Sequence, residues 1–266
     1  MNNIKTNPRI LICNDDGFDA KGIKMLEEIA RKLSNDVWVV APNDEKSAAS
    51  HALTISRPLR VNKISDKHFT VDGSPADCVL IAICKIMKGQ KPDLILSGIN
   101  NGANLSDDVT YSGTIAAAME GTILGIPSIA LSQCYDDNRK TFWKTAETFC
   151  ENVVRKILTT TWPDNVLMSV NFPSCDVDQV KGIDVIKLSQ KFIKSDDFSG
   201  FIEDRIDPRG KEYVWVGAAR RKEEPEEEGD LKSIMNQKIT ITPITLDLTD
   251  YASLSNLQKV FLEDNA

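Results

Sequence analysis

Three short apolar runs, Ile10 to Cys13, Val37 to Ala41 and Leu94 to Leu96, show no polar alternation. Strands with that pattern are covered on both faces, as in a parallel sheet. Between the first two lies Ala20 to Leu33, where Ile23, Leu26, Ile29, Ala30 and Leu33 recur at helical spacing, the mark of an amphipathic helix. The chain therefore opens with a βαβ unit. Parallel strands need such crossovers, and the crossovers are right-handed.

The same rhythm continues. Leu59 to Ile64 and His68 to Val71 are strand candidates, and Gly73-Ser74-Pro75 punctuates a helix running to about Met87, with proline at its first turn. Gly113 to Leu124 reads as an Ala-rich helix, Ser128 to Leu131 as a strand, Asn138 to Leu158 as a helix and Val166 to Val170 as a further strand. The expected fold is α/β, a doubly wound and mostly parallel three-layer sheet of Rossmann type. Beyond Pro173 the strand candidates Ile183 to Leu188, Glu212 to Val216 and Lys238 to Ile244 are separated by polar segments. They are read as a β-rich lobe or arm. The expected division is residues 1–173 as the α/β catalytic core, with 174–266 as an accessory oligomerisation lobe and a C-terminal segment completing the domain. A plain β-hairpin folded on its own domain is the alternative. The acidic run Glu223 to Glu228, interrupted by Pro225, should be exposed.

Composition narrows the class. With 266 residues, 32 Lys plus Arg and 39 Asp plus Glu, the formal net charge is -7. That balance gives no electrostatic basis for binding duplex nucleic acid or anionic membrane, although it leaves room for a local basic patch. No apolar stretch approaches the roughly 20 residues of a membrane span, and Met1 to Pro8 lack the apolar centre of a secretory signal. A cytoplasmic protein is the expectation. Six scattered cysteines without a C-x-x-C pair, and only two histidines, His51 and His68, read as reduced thiols and exclude a histidine-rich zinc site.

Ligands of such sheets bind beyond the carboxyl ends of the strands, and three polar loops follow strand ends here. The first, Asn14-Asp15-Asp16-Gly17, sets two carboxylates side by side, a natural seat for a divalent cation; helix capping by either aspartate is the simpler alternative. The second is Asp44 to His51. It lies in the polar stretch Asn43 to Arg57, too long for a simple crossover, and loops of that length are often functional; a solvated connection is the alternative. The third, Ser97-Gly98-Ile99-Asn100-Asn101-Gly102-Ala103-Asn104, leads through Asp107-Asp108 to Tyr111-Ser112-Gly113-Thr114 at a helix start. Asparagine oxygens, glycines and exposed amides at a positive helix end suit a phosphate beside a hard metal, while Ser112 or Thr114 could equally serve as an N-cap.

These loops, with Gly73 to Cys78, Ala118-Met119-Glu120-Gly121, Val170-Asn171-Phe172-Pro173, Asp207-Pro208-Arg209-Gly210 and Thr240-Ile241-Thr242-Pro243, resemble the stationary-phase survival protein (SurE) family over nearly the whole chain. The resemblance implies a metal-dependent 5'-nucleotidase that hydrolyses nucleoside monophosphates to nucleoside and inorganic phosphate. Action on 3'-nucleotides or short polyphosphate goes with the same family. The resemblance places one divalent metal ion, Mg or Mn, on Asp15, Asp16, Ser47 and Asn100. Asp15, Asp16 and Asn100 are the implied catalytic residues, and Asn104, Ser112, Gly113 and Thr114 the phosphate-binding segment. Family members often carry glycine where this chain has Ala48. A homodimer or homotetramer with an extended arm is also implied.

Two routes remain open at this level. Asp15 orients or deprotonates an attacking water, or attacks phosphorus itself. His51 is either the acid for the leaving alkoxide or a structural side chain. A signalling receiver module and a non-catalytic metal or nucleotide sensor are the rival classes. Nothing in the sequence ranks one base or sugar over another.

Overall fold

The computed structural model describes residues 5–189, 202–216 and 228–262. Its centre is a nine-stranded sheet with the order β3-β4-β2-β1-β5-β6-β7-β11-β8. The strands are β1 (Ile10–Cys13), β2 (Val37–Pro42), β3 (Val61–Lys63), β4 (His68–Val71), β5 (Leu94–Asn101), β6 (Ser128–Gln133), β7 (Val166–Phe172), β8 (Ile183–Val185) and β11 (Ile239–Thr245). Strands β4, β2, β1, β5, β6 and β7 run parallel to one another, as unbroken apolar runs require. The edges depart from this. β3 is antiparallel to β4, and β11 is antiparallel to β7.

Helices cover both faces because successive strand residues point to opposite sides. Ile10 and Ile12 pack with α1 (Lys21–Leu33) and α4 (Trp143–Leu158). Leu11 and Cys13 pack with α2 (Pro75–Ile81) on the other face, where α3 (Gly113–Ile123) lies beside α2. α1 buries Gly22, Ile23, Leu26, Ile29 and Ala30, nearly the stripe that the spacing singles out. α2 starts where the sequence places it. Ser74 Oγ accepts from the Asp77 amide at 3.1 Å, Asp77 Oδ2 accepts from the Ser74 amide at 2.8 Å, and Pro75 occupies the first turn. That reciprocal cap satisfies two otherwise orphaned donors.

From β1 the chain moves outward through β2 and β4, then returns to the other side of β1 as β5. The crevice between β1 and β5 is thus the point where strand order reverses, which is where open α/β sheets bind ligands.

Beyond Pro173 the strands divide. β8 and β11 extend the main sheet, while β9 (Ile202–Ile206) and β10 (Glu212–Val216) form a separate antiparallel pair whose residues are all exposed. Gly229 leads into α5 (Asp230–Met235), where Asp230 Oδ1 accepts from the Ser189 amide at 2.8 Å. The acidic run Glu223 to Glu228 lies outside the described residues except for Glu228. Several elements differ from the sequence reading. β5 runs on to Asn101, into residues read there as loop, and β9 is a strand that the sequence reading does not propose. α4 begins at Trp143 and not near Asn138, because the Asp136 carboxylate accepts from the amides of Asn138 and Lys140 at 3.0 and 2.9 Å. A side chain that satisfies amides locally competes with the helix. α6 (Tyr251–Leu262) is a further helix, exposed on every side described.

Candidate active site

The first loop turns sharply at Gly17, whose φ of +96° is costly for residues with a side chain; a Cβ there would also meet the Asp44 backbone at 3.1 Å. Asn14 Nδ2 closes the turn on the Gly17 carbonyl at 2.8 Å. Helix α1 takes Ala20 as its N-cap, with no side-chain hydrogen bond. Neither Asp15 nor Asp16 is a helix cap, so both carboxylates are available for chemistry.

Asp15 is buried against the N-terminus of α3, beside which α2 also begins. A Cβ on Gly113, the first residue of α3, would lie 2.7 Å from the Asp15 Cβ and 3.0 Å from Pro75 Cγ at the start of α2. Only glycine permits that approach. Thr114 Oγ1 donates a short hydrogen bond to Asp15 Oδ1. Burial pushes the Asp15 pKa up, against the Thr114 hydroxyl and nearby backbone amides, including those of Thr114 and Gly113, which pull it down.

Asp16 is less enclosed. Burial first, then the neighbouring Asp15 charge, push its pKa up to about 6; the Asn101 amide opposes this and Glu45 adds to it. Two adjacent carboxylates whose charged forms are both disfavoured form a site that a cation would relieve.

The other loops are tied to this pair. The Lys46 amide donates to the Asp15 carbonyl at 2.7 Å, which brings in the second loop. The Asn101 amide donates to Asp16 Oδ2 at 3.0 Å, which brings in the third. Asn100 Nδ2 donates to the Gly102 carbonyl at 3.0 Å, leaving its Oδ1 as the side-chain atom able to ligate. Ser47 is exposed and donates to Glu45 Oε1 at 2.7 Å. Ala48 has φ +58°, a left-handed turn made here by a residue with a side chain.

The expected phosphate segment divides in the structure. Ser112 Oγ caps α3, accepting from the Ile115 amide at 3.1 Å, the capping alternative. Thr114 serves Asp15. Asn104 is buried and faces the far strands, its Nδ2 on Ser132 Oγ and its amide on Asn171 Oδ1, each at 2.8 Å. Gly113 supplies the close helix approach described above. His51 Nε2 lies 2.9 Å from Glu120 Oε2, and Ser50 clasps the Thr110 and Tyr111 carbonyls at 2.7 and 3.0 Å. The second loop is thus fastened along α3. Sequence reasoning assigns Glu120 and Asn101 no roles. Glu120, the one charged side chain in an otherwise apolar and small helix, carries a signal that only its partner explains.

An oxygen-donor cation fits these residues. Among the described residues no three His, Cys, Asp or Glu side chains gather as a cage, so two carboxylates completed by neutral oxygens are what this site offers, a hard set suited to Mg²⁺ or Mn²⁺ more than zinc. The six cysteines are free, and all but Cys84 are buried.

The family model described as Survival protein SurE matches residues 10–195. The chain belongs to the SurE family. It is 50% identical to the 5'-nucleotidase SurE of Paramagnetospirillum magneticum over 253 residues, covering 95% of both chains. It is 48% identical to the 5'-nucleotidase SurE of Methylobacterium radiotolerans, covering 96% of this chain and all of that protein. Among solved structures, the SurE protein of Aquifex aeolicus matches with a TM-score of 0.78 at 38% identity, over 94% of this chain and 98% of that one. No described helix is long and apolar enough to cross a membrane.

Proposed function

We infer that this chain is a 5'-nucleotidase, hydrolysing nucleoside 5'-monophosphates to nucleoside and inorganic phosphate with the help of one divalent cation, Mg or Mn, per subunit. The observation that carries this reading is the paired Asp15 and Asp16 at the switch point, in a chain matched nearly end to end by proteins named 5'-nucleotidase SurE. Asp15, Asp16, Ser47 and Asn100 would hold the cation. Bound there, it supplies positive charge that polarises a phosphoryl oxygen and makes a nearby water more acidic.

The remaining work falls to the protein. Asp15 orients the attacking water and takes its proton; Thr114 fixes the carboxylate by donating to Oδ1. The positive end of α3 at Gly113 and Thr114 steadies negative charge on the phosphoryl oxygens. Asp16, accepting from the Asn101 amide, keeps the third loop in register with the first, and Asn100 braces that loop through the Gly102 carbonyl. Asn104 and Ser112 act by holding that loop and helix in place. His51 reaches the buried Glu120, which favours its structural role in anchoring the second loop. The exposed β9–β10 pair, with Trp215 and Val216 uncovered, supports a homodimer or homotetramer assembled through the arm. A cytoplasmic location accords with free, mostly buried thiols.

Phosphate release from nucleoside 5'- and 3'-monophosphates and short polyphosphate, measured with Mg²⁺, Mn²⁺ or EDTA, tests the reading. Metal-dependent turnover abolished by Asp15→Asn and by Asn100→Ala, with folding retained, is the expected result. A folded wild type that binds nucleotide and releases no phosphate would make it a non-catalytic module. The stereochemical course at a chiral phosphorus separates the two routes, because one in-line displacement by water inverts the configuration, whereas attack by Asp15 followed by water attack on the aspartyl-phosphate retains it.

A further inference from the structure

The loop between β6 and α4 has features that neither the sheet nor the metal site requires. β6 pairs with β5 so that Ser132 and Gln133 lie opposite Asn100 and Asn101. The next residues therefore emerge beside the third loop. Thr141 Oγ1 donates to Asn101 Oδ1 at 2.6 Å, and the Asn101 amide reaches Asp16. One residue thus links this loop to the carboxylate pair.

Tyr135 is 38% exposed and rests on Gly102. A Cβ on Gly102 would come within 3.2 Å of the tyrosine ring, and its φ is +149°. The carbonyl of the same glycine accepts from Asn100. The ring is therefore seated two residues along the chain from Asn100, a proposed metal ligand. The guanidinium carbon of Arg139 stands 5.2 Å from the centre of that ring, held by a residue with φ +60°. The turn carrying it is built beforehand: Tyr135 bridges Thr141, and Asp136 accepts from the Asn138 and Lys140 amides.

We propose that Tyr135 and Arg139 form the nucleobase subsite of this enzyme, Tyr135 stacking the base and Arg139 covering or edging it. This rests on the nucleotidase reading. A nucleotide anchored by its phosphate at Asp15 and Asp16 must project its nucleoside outward, and the rim beside Asn100 and Gly102 offers a partly exposed aromatic face with a planar cation over it. Bases stack on such faces with little regard to sequence, and a guanidinium adds a cation–π contact and donors for a base edge. These two residues act on binding and leave the chemistry to the carboxylates.

The test compares kcat and KM for a purine nucleoside 5'-monophosphate with those for ribose 5-phosphate, which lacks the base. Tyr135→Ala should raise KM for the nucleotide roughly tenfold and leave kcat nearly unchanged, with ribose 5-phosphate unaffected. Tyr135→Phe should restore the nucleotide KM, and Arg139→Ala should shift the same ratio less. Equal changes for both substrates, or none, would overturn the subsite. If the wild type turns over no nucleotide, the activity reading fails on its own. Calorimetric titration of a purine nucleoside into metal-free protein then decides the subsite, which stands if Tyr135→Ala weakens binding and falls if the wild type does not bind or the variant binds equally.

Discussion

Thr114 shows how little of a site's wiring a motif conveys. As a member of a helix-start segment it is a phosphate contact or a cap; in the structure its hydroxyl goes to Asp15 Oδ1, where it lowers a pKa that burial raises. Thr114→Val keeps the shape and removes the donor. Hydrogen bonds to charged groups contribute about 1.5–3 kcal/mol, so kcat/KM should fall roughly ten- to a hundredfold. Removing a lowering contact raises the Asp15 pKa further, so the acid limb of the pH–rate profile should move to higher pH. A variant with unchanged rate and profile would remove Thr114 from the mechanism. Ala48 poses the opposite case. At φ +58° its Cβ is strained by about 1 kcal/mol, less the entropy that glycine loses on folding. Ala48→Gly should therefore leave thermal stability unchanged or slightly higher while preserving the Ser47 turn, as a melting curve and metal titration would record.

At the scale of elements, the second loop is held from both ends. Ser74 Oγ donates to the Ala52 carbonyl at 2.6 Å while accepting from Asp77, and Asp77 Oδ1 accepts from the Thr54 amide at 2.9 Å. One cap thus fastens α2 and the loop bearing Ser47. Ser74→Ala should cost about 1–2 kcal/mol in chemical denaturation and weaken metal affinity; a cost without any change in metal affinity would show the loop to be held by other contacts. Such elements are legible in the sequence where local rules decide them. Apolar runs without alternation mark β1, β2 and β5, and Ser74-Pro75 marks the start of α2. Where longer-range pairing decides, the sequence is mute. Lys238 to Ile244 looks like one more lobe strand, yet β11 closes on β7 through a pairing across some seventy residues. The start of α4 escapes a reading by periodicity because Asp136 spends its carboxylate on a turn, a choice that helical spacing does not register.

Across the whole molecule, the carboxylate pair is the point at which folding and function oppose each other. Asp16 titrates at about 6 in the folded chain because burial and Asp15 disfavour its charge, against an ordinary value near 3.8. Between those values the folded chain holds a proton that the unfolded chain has released. The contribution of Asp16 to stability is therefore full below about 3.8 and is lost as pH rises through about 6. Asparagine mimics the protonated acid without titrating. In EDTA, Asp16→Asn and the wild type should melt alike near pH 4, with the variant gaining a growing advantage up to pH 7. Added Mg²⁺ or Mn²⁺ reverses the order, since the cation binds the deprotonated pair and stabilises whatever form it binds. The wild type should gain melting temperature from metal increasingly as pH rises to about 6 and level off above it, and Asp16→Asn should gain little at any pH. Parallel melting curves for the two proteins in EDTA across this range would mean that the pair carries no buried charge, and the electrostatic case for a cation between Asp15 and Asp16 would fall with it.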